Sequence, residues 1–465
     1  MFPIRAKGEK TGANAYDPSR DLDEHEHEVE VVAKKRPSPY LQVLKNRNFR
    51  LLWLGQAISN FGDWIIVVAM IALVYNLSRS PLAISVLMIA RLAPAVVFGS
   101  FVGVIVDRVN RKWLMVGCDV ARGLLILTLP FIRNFYVLIG VAFILEAFSL
   151  LFMPAKDASV PNIVDEKEVL IANSLSGTTN YATMILGSGA AGAVLAAAEA
   201  VIQRAPLVST LFGRQFAGTS AAFLLDSLTF FISAITVALI SMKREVPVSA
   251  REARMDIRRD FASGAELIRK NPLVRPMLIS VGIAILGGGS IYALGVDYSN
   301  RVLNVGNAGF GFLLAALGVG LVIGAALASM LGRLFPKDRL FSSSLFFLGS
   351  FLMVFSLVPI YEVSIVTLVI AGLSLAMLQV TGYTLIHENL PDEVRGRVFG
   401  VMESIIRVSL LISLGVTGLV AQGIDRISER YQLFINGSQA TLALGAAIII
   451  LGALIALRTV KVEGA

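Results

Sequence analysis

Twelve long apolar runs, divided six and six by a polar stretch, restrict this 465-residue chain more than any other feature. From Phe49 they fall at roughly 49–76, 81–106, 113–133, 135–155, 171–198 and 216–241. They resume at 273–296, 308–331, 339–358, 363–386, 398–422 and 441–458. About 20 mostly apolar residues suffice to cross some 30 Å of hydrocarbon as a helix. Composition agrees: 16% of residues are charged and mean hydropathy is +0.73, whereas a soluble domain carries about a quarter charged residues. The expected fold is an all-α polytopic membrane protein with twelve transmembrane helices in two six-helix halves. The expected divisions are a disordered tail over 1–45, a first bundle over 46–242, a linker over 243–272, a second bundle over 273–458 and a short tail over 459–465.

Charge sets an expected orientation. One set of loops carries Arg108, Arg111, Lys112, Lys156, Lys167, Arg333, Lys337, Arg339, Arg395 and Arg397, and the linker adds a basic run from Lys243 to Arg275. The opposite set has Arg79, Arg133, Arg204, Arg214, Arg301, Arg426 and Arg430. Basic loops stay cytoplasmic, so both termini are expected inside an inner (plasma) membrane. The net charge of +8 is thereby assigned to topology and not to nucleic acid, because no basic patch is interleaved with aromatics in a soluble segment. In the linker, Phe261, Ala265 and Ile268 share a face at helical spacing, which predicts a surface-lying amphipathic helix. The N-terminal residues Asp21–Glu28 and Lys34–Pro39 lack an apolar period and bury too little to fold alone. No metal site is expected from His25 and His27 in that tail, and the single cysteine, Cys118, reads as a small buried apolar residue.

Between the second and third runs lies Gly103-Val-Ile-Val-Asp107-Arg108-Val-Asn-Arg111-Lys112. Read as Gly-x3-Asp-Arg-x2-Arg-Lys, it resembles the loop between the second and third helices of the major facilitator superfamily. The segment Asn48-Phe-Arg50-Leu-Leu-Trp53-Leu-Gly55-Gln56, with Asp63 beyond it, is similar to the siderophore (enterobactin) exporter and macrolide efflux branch. So are Arg91-Leu-Ala-Pro94, Pro161-Asn-Ile-Val164, Ala172-Asn173-Ser-Leu175 and Leu390-Pro391-Asp-Glu393-Val-Arg395-Gly396-Arg397-Val398. The resemblance covers about 46–458 and implies a transporter whose site lies between two repeats near the midplane. It implies a cytoplasmic gate of Gly103, Asp107, Arg108, Arg111 and Lys112, in which Asp107 meets the positive start of the eleventh helix near Arg397–Gly400. A plain positive-inside loop accounts for the three cations alone. Gly187-Ser188-Gly189-Ala-Ala-Gly192 resembles an antiporter motif with serine in place of proline, while the Arg-x2-Gln-Gly relay of the fourth helix is absent.

Charges within the runs are costly unless paired or wetted. The acids are Asp63, Asp119, Glu146, Asp226 and Glu403; the bases are Arg91, Arg122 and Arg407. Asp119 with Arg122, and Glu403 with Arg407, can pair locally at i,i+3 and i,i+4. Arg91 is expected to meet Asp63 or Asp119. Five acids against three bases leave two without a cation, and such carboxyls can bind a proton near neutral pH. Asp63, Glu146 and Asp226 are the candidates for proton coupling, each with a structural alternative. Gln56, Asn60, Asn180, Gln379 and Tyr383 are candidate substrate contacts at cavity depth. Gly287–Gly289 predicts a bend in the seventh run, and Gly320 with Gly324 predicts close packing.

No phosphate-binding loop, thiol pair or histidine cluster supports an enzyme or a cofactor. The expected function is proton-coupled export of a hydrophobic or amphiphilic small molecule by a monomer in contact with membrane lipid. The alternatives are a lipid or lysophospholipid flippase on the same fold and a non-transporting membrane sensor or assembly partner.

Overall fold

Asparagine starts many of the helices. Asn46, Asn110, Asn134 and Asn436 sit in extended backbone, and each accepts hydrogen bonds from amides of the first turn, satisfying donors that a helix start leaves unpaired. The computed structural model describes residues 39–202, 217–241, 257–433 and 435–460. A short helix α1 (Pro39–Lys45) buries Val43, so regular structure begins before the boundary read from composition. The histidines of the N-terminal tail and the first part of the basic linker, 243–256, lie outside the described residues.

The first half comprises α2 (Arg47–Ser78), α3 (Pro81–Arg108), α4 (Arg111–Thr128), α5 (Phe135–Ser159), α6 (Val169–Ile202) and α7 (Ala217–Ala238). After the linker helix α8 (Ile257–Lys270), the second half comprises α9 (Val274–Gly288), α10 (Ser290–Arg301), α11 (Gly306–Leu331), α12 (Lys337–Leu357), α13 (Tyr361–Asn389), α14 (Asp392–Tyr431) and α15 (Gly437–Thr459). Helices α9 and α10 form one span broken at Gly289, within the glycine triplet where a bend was expected. With that pair counted once, twelve spans among the described residues are long and apolar enough to cross a membrane.

The pairing of helices repeats. In the first half α2 packs on α6 and α7, α3 on α5, and α4 on α5 and α7. In the second, the broken seventh span packs on α14 and α15, α11 on α13, and α12 on α13 and α15. The halves meet through α6 against α11 and α3 against α14, two contacts that exchange under the same repeat. We call the side where α2 begins the near face and the side where it ends the far face.

Small residues permit the closest crossings. A Cβ on Gly192 would lie 2.7 Å from the Ala308 carbonyl, and one on Gly311 would lie 2.7 Å from the Gly192 amide. The Gly187–Gly192 stretch is therefore part of the contact between halves. Gly320 and Gly324 press on the backbone of α13 at Val369 and Leu373, the close packing expected of them.

Helix α8 does not simply lie on a surface. Gly264 abuts the Arg397 carbonyl and Val401 of α14, and Ile268 is buried. Its solvent side pairs Lys270 with Glu266 at 2.7 Å, which holds the Glu266 carboxyl below the usual carboxylate range.

Candidate functional site

Six ionisable side chains gather inside the first half. Asp119 and Arg122 of α4 form the expected ion pair, both buried. Ser233 of α7 donates to the second Asp119 oxygen at 2.7 Å. The Arg122 guanidinium lies 4.8 Å from the ring of Phe152 and 4.2 Å from that of Phe230, so aromatic faces replace part of its hydration. Arg91 pairs with Glu146 at 3.3 Å, not with Asp63 or Asp119 as expected. The reason is packing: α3 lies along α5, and the partner separated by 55 residues in sequence is the one its side chain reaches.

Asp63 and Asp226 are left over. Asp226 is fully buried; Thr229 donates to one of its oxygens at 3.2 Å, and the other has no hydrogen bond among the described residues. Its carboxylate lies against Gly62, one residue from Asp63. Asp63 has no ion-pair partner among the described residues and lines a crevice with Arg91, Arg122, Glu146 and Ser149. That crevice encloses about 20 Å³, enough for a single water. The sequence inventory of two acids without cations is matched in number. Glu146, in the same crevice as Asp63, is paired with Arg91. Glu403 and Arg407 lie 3.9 Å apart and about half-exposed, a looser pair than Asp119 with Arg122.

The second half holds space instead of charge. A cavity of about 270 Å³ is lined by residues of the broken seventh span and of α11 to α15. Of the five candidate substrate contacts, Gln379 and Tyr383 line it, at exposed positions of α13. Gln56, Asn60 and Asn180 do not. Helix rotation explains this for Gln56: its neighbour Gly55 packs on Thr236 of α7, which turns Gln56 into the first bundle, where its amide nitrogen has no partner among the described residues. Asn60 is half-buried and Asn180 exposed.

An acid beyond the expected limit of the seventh run proves central at the far face. Helix α10 runs to Arg301, and it buries Asp297 completely. Ser438 donates to this carboxylate, and Arg301 bridges it at 3.4 Å to Asp425 at 2.8 Å. Tyr75 of the first half interacts with the same carboxylate, and Arg79 stacks 5.1 Å over the Tyr75 ring. Nearby, Asn307 donates to Asn76 at 3.2 Å, again between halves. Gly418 of α14 meets Leu82 and Ser85 of α3 on the same side.

The near face is different. A Cβ on Gly103, Gly396 or Gly400 would meet nothing within 4 Å. Asp107 is exposed and pairs at 3.7 Å with Arg111 of its own loop, so the expected contact with the start of α14 is not made here. Arg111 and Lys112 donate instead to the Ala158 and Ile240 carbonyls, at 3.2 and 2.8 Å. Those carbonyls end neighbouring helices, where cations are favoured, so these two side chains tie the first half together. Arg108 is exposed.

Comparison with known proteins agrees with the fold. The family model described as Major Facilitator Superfamily matches residues 52–414. The candidate bacilysin exporter BacE of Bacillus subtilis (strain 168) is 26% identical over 79% of this chain and 86% of its own length. Macrolide efflux protein A of Streptococcus pyogenes is 24% identical over 84% and 92%. Among solved structures, a bacterial homologue of the human lysosomal transporter Spinster, inward-facing and occupied, superposes with a TM-score of 0.69. It is 15% identical and covers 92% of this chain and all of that one, which supports the fold alone.

Proposed function

The chain belongs to the major facilitator superfamily, and on that premise we propose that it is a proton-coupled exporter of the plasma membrane. Its cargo is a hydrophobic or amphiphilic small molecule of drug, macrolide or siderophore type, and it works by alternating access. Similarity to efflux proteins supports the direction. The excess of basic residues on the near face supports reading that face as cytoplasmic, and on that reading the arrangement is inward-facing: far face latched, near face apart.

The observation that carries coupling is the pair of carboxyls, Asp63 and Asp226, left without cations beside two closed ion pairs. Protonation neutralises them in the outward-facing state. Release toward the cytoplasm restores two neighbouring negative charges, at a cost that makes proton occupancy and conformation interdependent. The latch around Asp297 must part for the far face to open. Asp107 and Gly103 then approach α14 near Arg397–Gly400, while Arg111 and Lys112 keep their helix-end contacts.

The test uses everted vesicles with an imposed proton gradient and a pH-sensitive fluorophore. A panel of macrolides, siderophores, cationic dyes and lysolipids is added. A defined compound should collapse the gradient, and Asp63→Asn or Asp226→Asn should abolish the collapse. Lipid probes crossing with no effect on the gradient would replace this reading with a flippase.

A further inference from the structure

The two halves divide the requirements of a ligand between them. The first half concentrates charge around a crevice of about 20 Å³. The second encloses about 270 Å³, and none of the residues lining that space is charged. Its floor is Phe341 and Leu348 of α12 with Ile449 of α15, and its mouth is at exposed Gln379 and Tyr383. Besides Tyr383, which interacts with Glu403, two polar groups face the aliphatic and aromatic lining without protein partners among the described residues. The Tyr292 hydroxyl, just beyond the break at Gly289, and the Gln379 amide have no hydrogen bond among the described residues. A few convergent polar groups on apolar walls are the usual make-up of a small-molecule site, and such groups fix a ligand's orientation by hydrogen bonding.

We infer that this cavity is a self-contained seat for the uncharged, largely aliphatic part of the cargo. That part has the size of a medium-chain acyl group, and Tyr292 and Gln379 hold its polar end. The inference rests on the transport reading above and names the substrate class it handles. Within the lining an ionised group has no counter-charge, and burying it unpaired is unfavourable, so any charge on the cargo stays outside, at the mouth where Glu403 lies against Tyr383 or toward the first half. Size follows from volume. The cavity matches about nine liquid waters, just below the roughly 300–1,000 Å³ of sites that enclose a whole drug-sized molecule. Since a methylene takes about the space of a water, roughly nine carbons fill it. A macrolide can therefore place a substituent in this seat but not its ring.

The experiment uses the full chain in lipid nanodiscs, with empty discs as blank, and calorimetric titration of neutral n-alkyl amides from butanamide to tetradecanamide. Affinity should rise about fourfold per methylene and level off near roughly nine carbons. The matching n-alkyl carboxylates should bind at least about tenfold more weakly. Leu375→Trp, and the smaller filling Ala371→Val if that variant fails to fold, should move the plateau to shorter chains. Tyr292→Phe should weaken every amide about fivefold without moving the plateau. An affinity that keeps rising through tetradecanamide, or a plateau that no filling variant moves, would overturn the seat. Amides that bind with the plateau but never collapse the proton gradient would leave the seat standing and remove the exporter. Gradient collapse by a cargo indifferent to the filling variants would do the reverse.

Discussion

Arg91 shows what a single residue can and cannot disclose. A guanidinium within an apolar run must find an anion, so the existence of a partner followed from the sequence. Its identity did not, because several acids lie at comparable depth and only helix rotation selects Glu146. Asp119 with Arg122 was legible because both lie on one helix three residues apart. Glu146→Gln should leave Arg91 uncompensated and lower stability by about 1–3 kcal/mol, below the fully buried value because both side chains keep some exposure. The double variant with Arg91→Gln should recover most of that loss in a thermal unfolding assay in membranes. Asp226→Asn is different in kind. The amide nearly matches the carboxyl in shape and needs no cation, so the protein should fold at least as well while proton-driven flux disappears.

Elements were the most legible scale. The apolar runs located every span, because a helix surrounded by hydrocarbon must be apolar over its whole crossing length. Ends were less clear: the seventh span was read as stopping at 296, and α10 continues to Arg301, carrying Asp297 into the fold. Helix starts depended on asparagine caps, whose chemistry is local. Close crossings such as Gly320 on α13 depend on a partner helix that the sequence does not name. Gly320→Leu should destabilise by about 1–3 kcal/mol or more, since the added Cβ meets the rigid Val369 backbone. Thermal unfolding should show this loss, whereas Gly423→Ala, at a position with open space, should behave as the parent.

At the scale of the whole molecule, the two faces hold opposite states. On the far side Asn76 and Asn307 touch across the halves, and on the near side Gly103 and Gly400 have empty surroundings. With Cys118→Ala as background, a cysteine pair made by Asn76→Cys and Asn307→Cys should cross-link readily and stop flux until reduced. A pair made by Gly103→Cys and Gly400→Cys should cross-link only while the near face closes during turnover. Equal cross-linking of the second pair in resting membranes would contradict alternating access through these ends. Asp297→Asn should loosen the far latch and raise labelling of far-face cysteines under resting conditions.

Sequence alone determined the class of fold, the six-plus-six division and the excess of two acids, while its inventory of intramembrane charge stopped short of Asp297 and Arg301. Each of these follows from local composition measured against a medium that rejects polar groups. Tertiary structure decided which acids remain unpaired, that Arg111 and Lys112 act as helix-end ties, that Asp297 anchors the far face, and that the open volume lies within one half. Those outcomes depend on the rotation of one helix against another. Near-uniform apolar surfaces encode rotation weakly, because a lipid-facing side and a partner-facing side are built from the same residues.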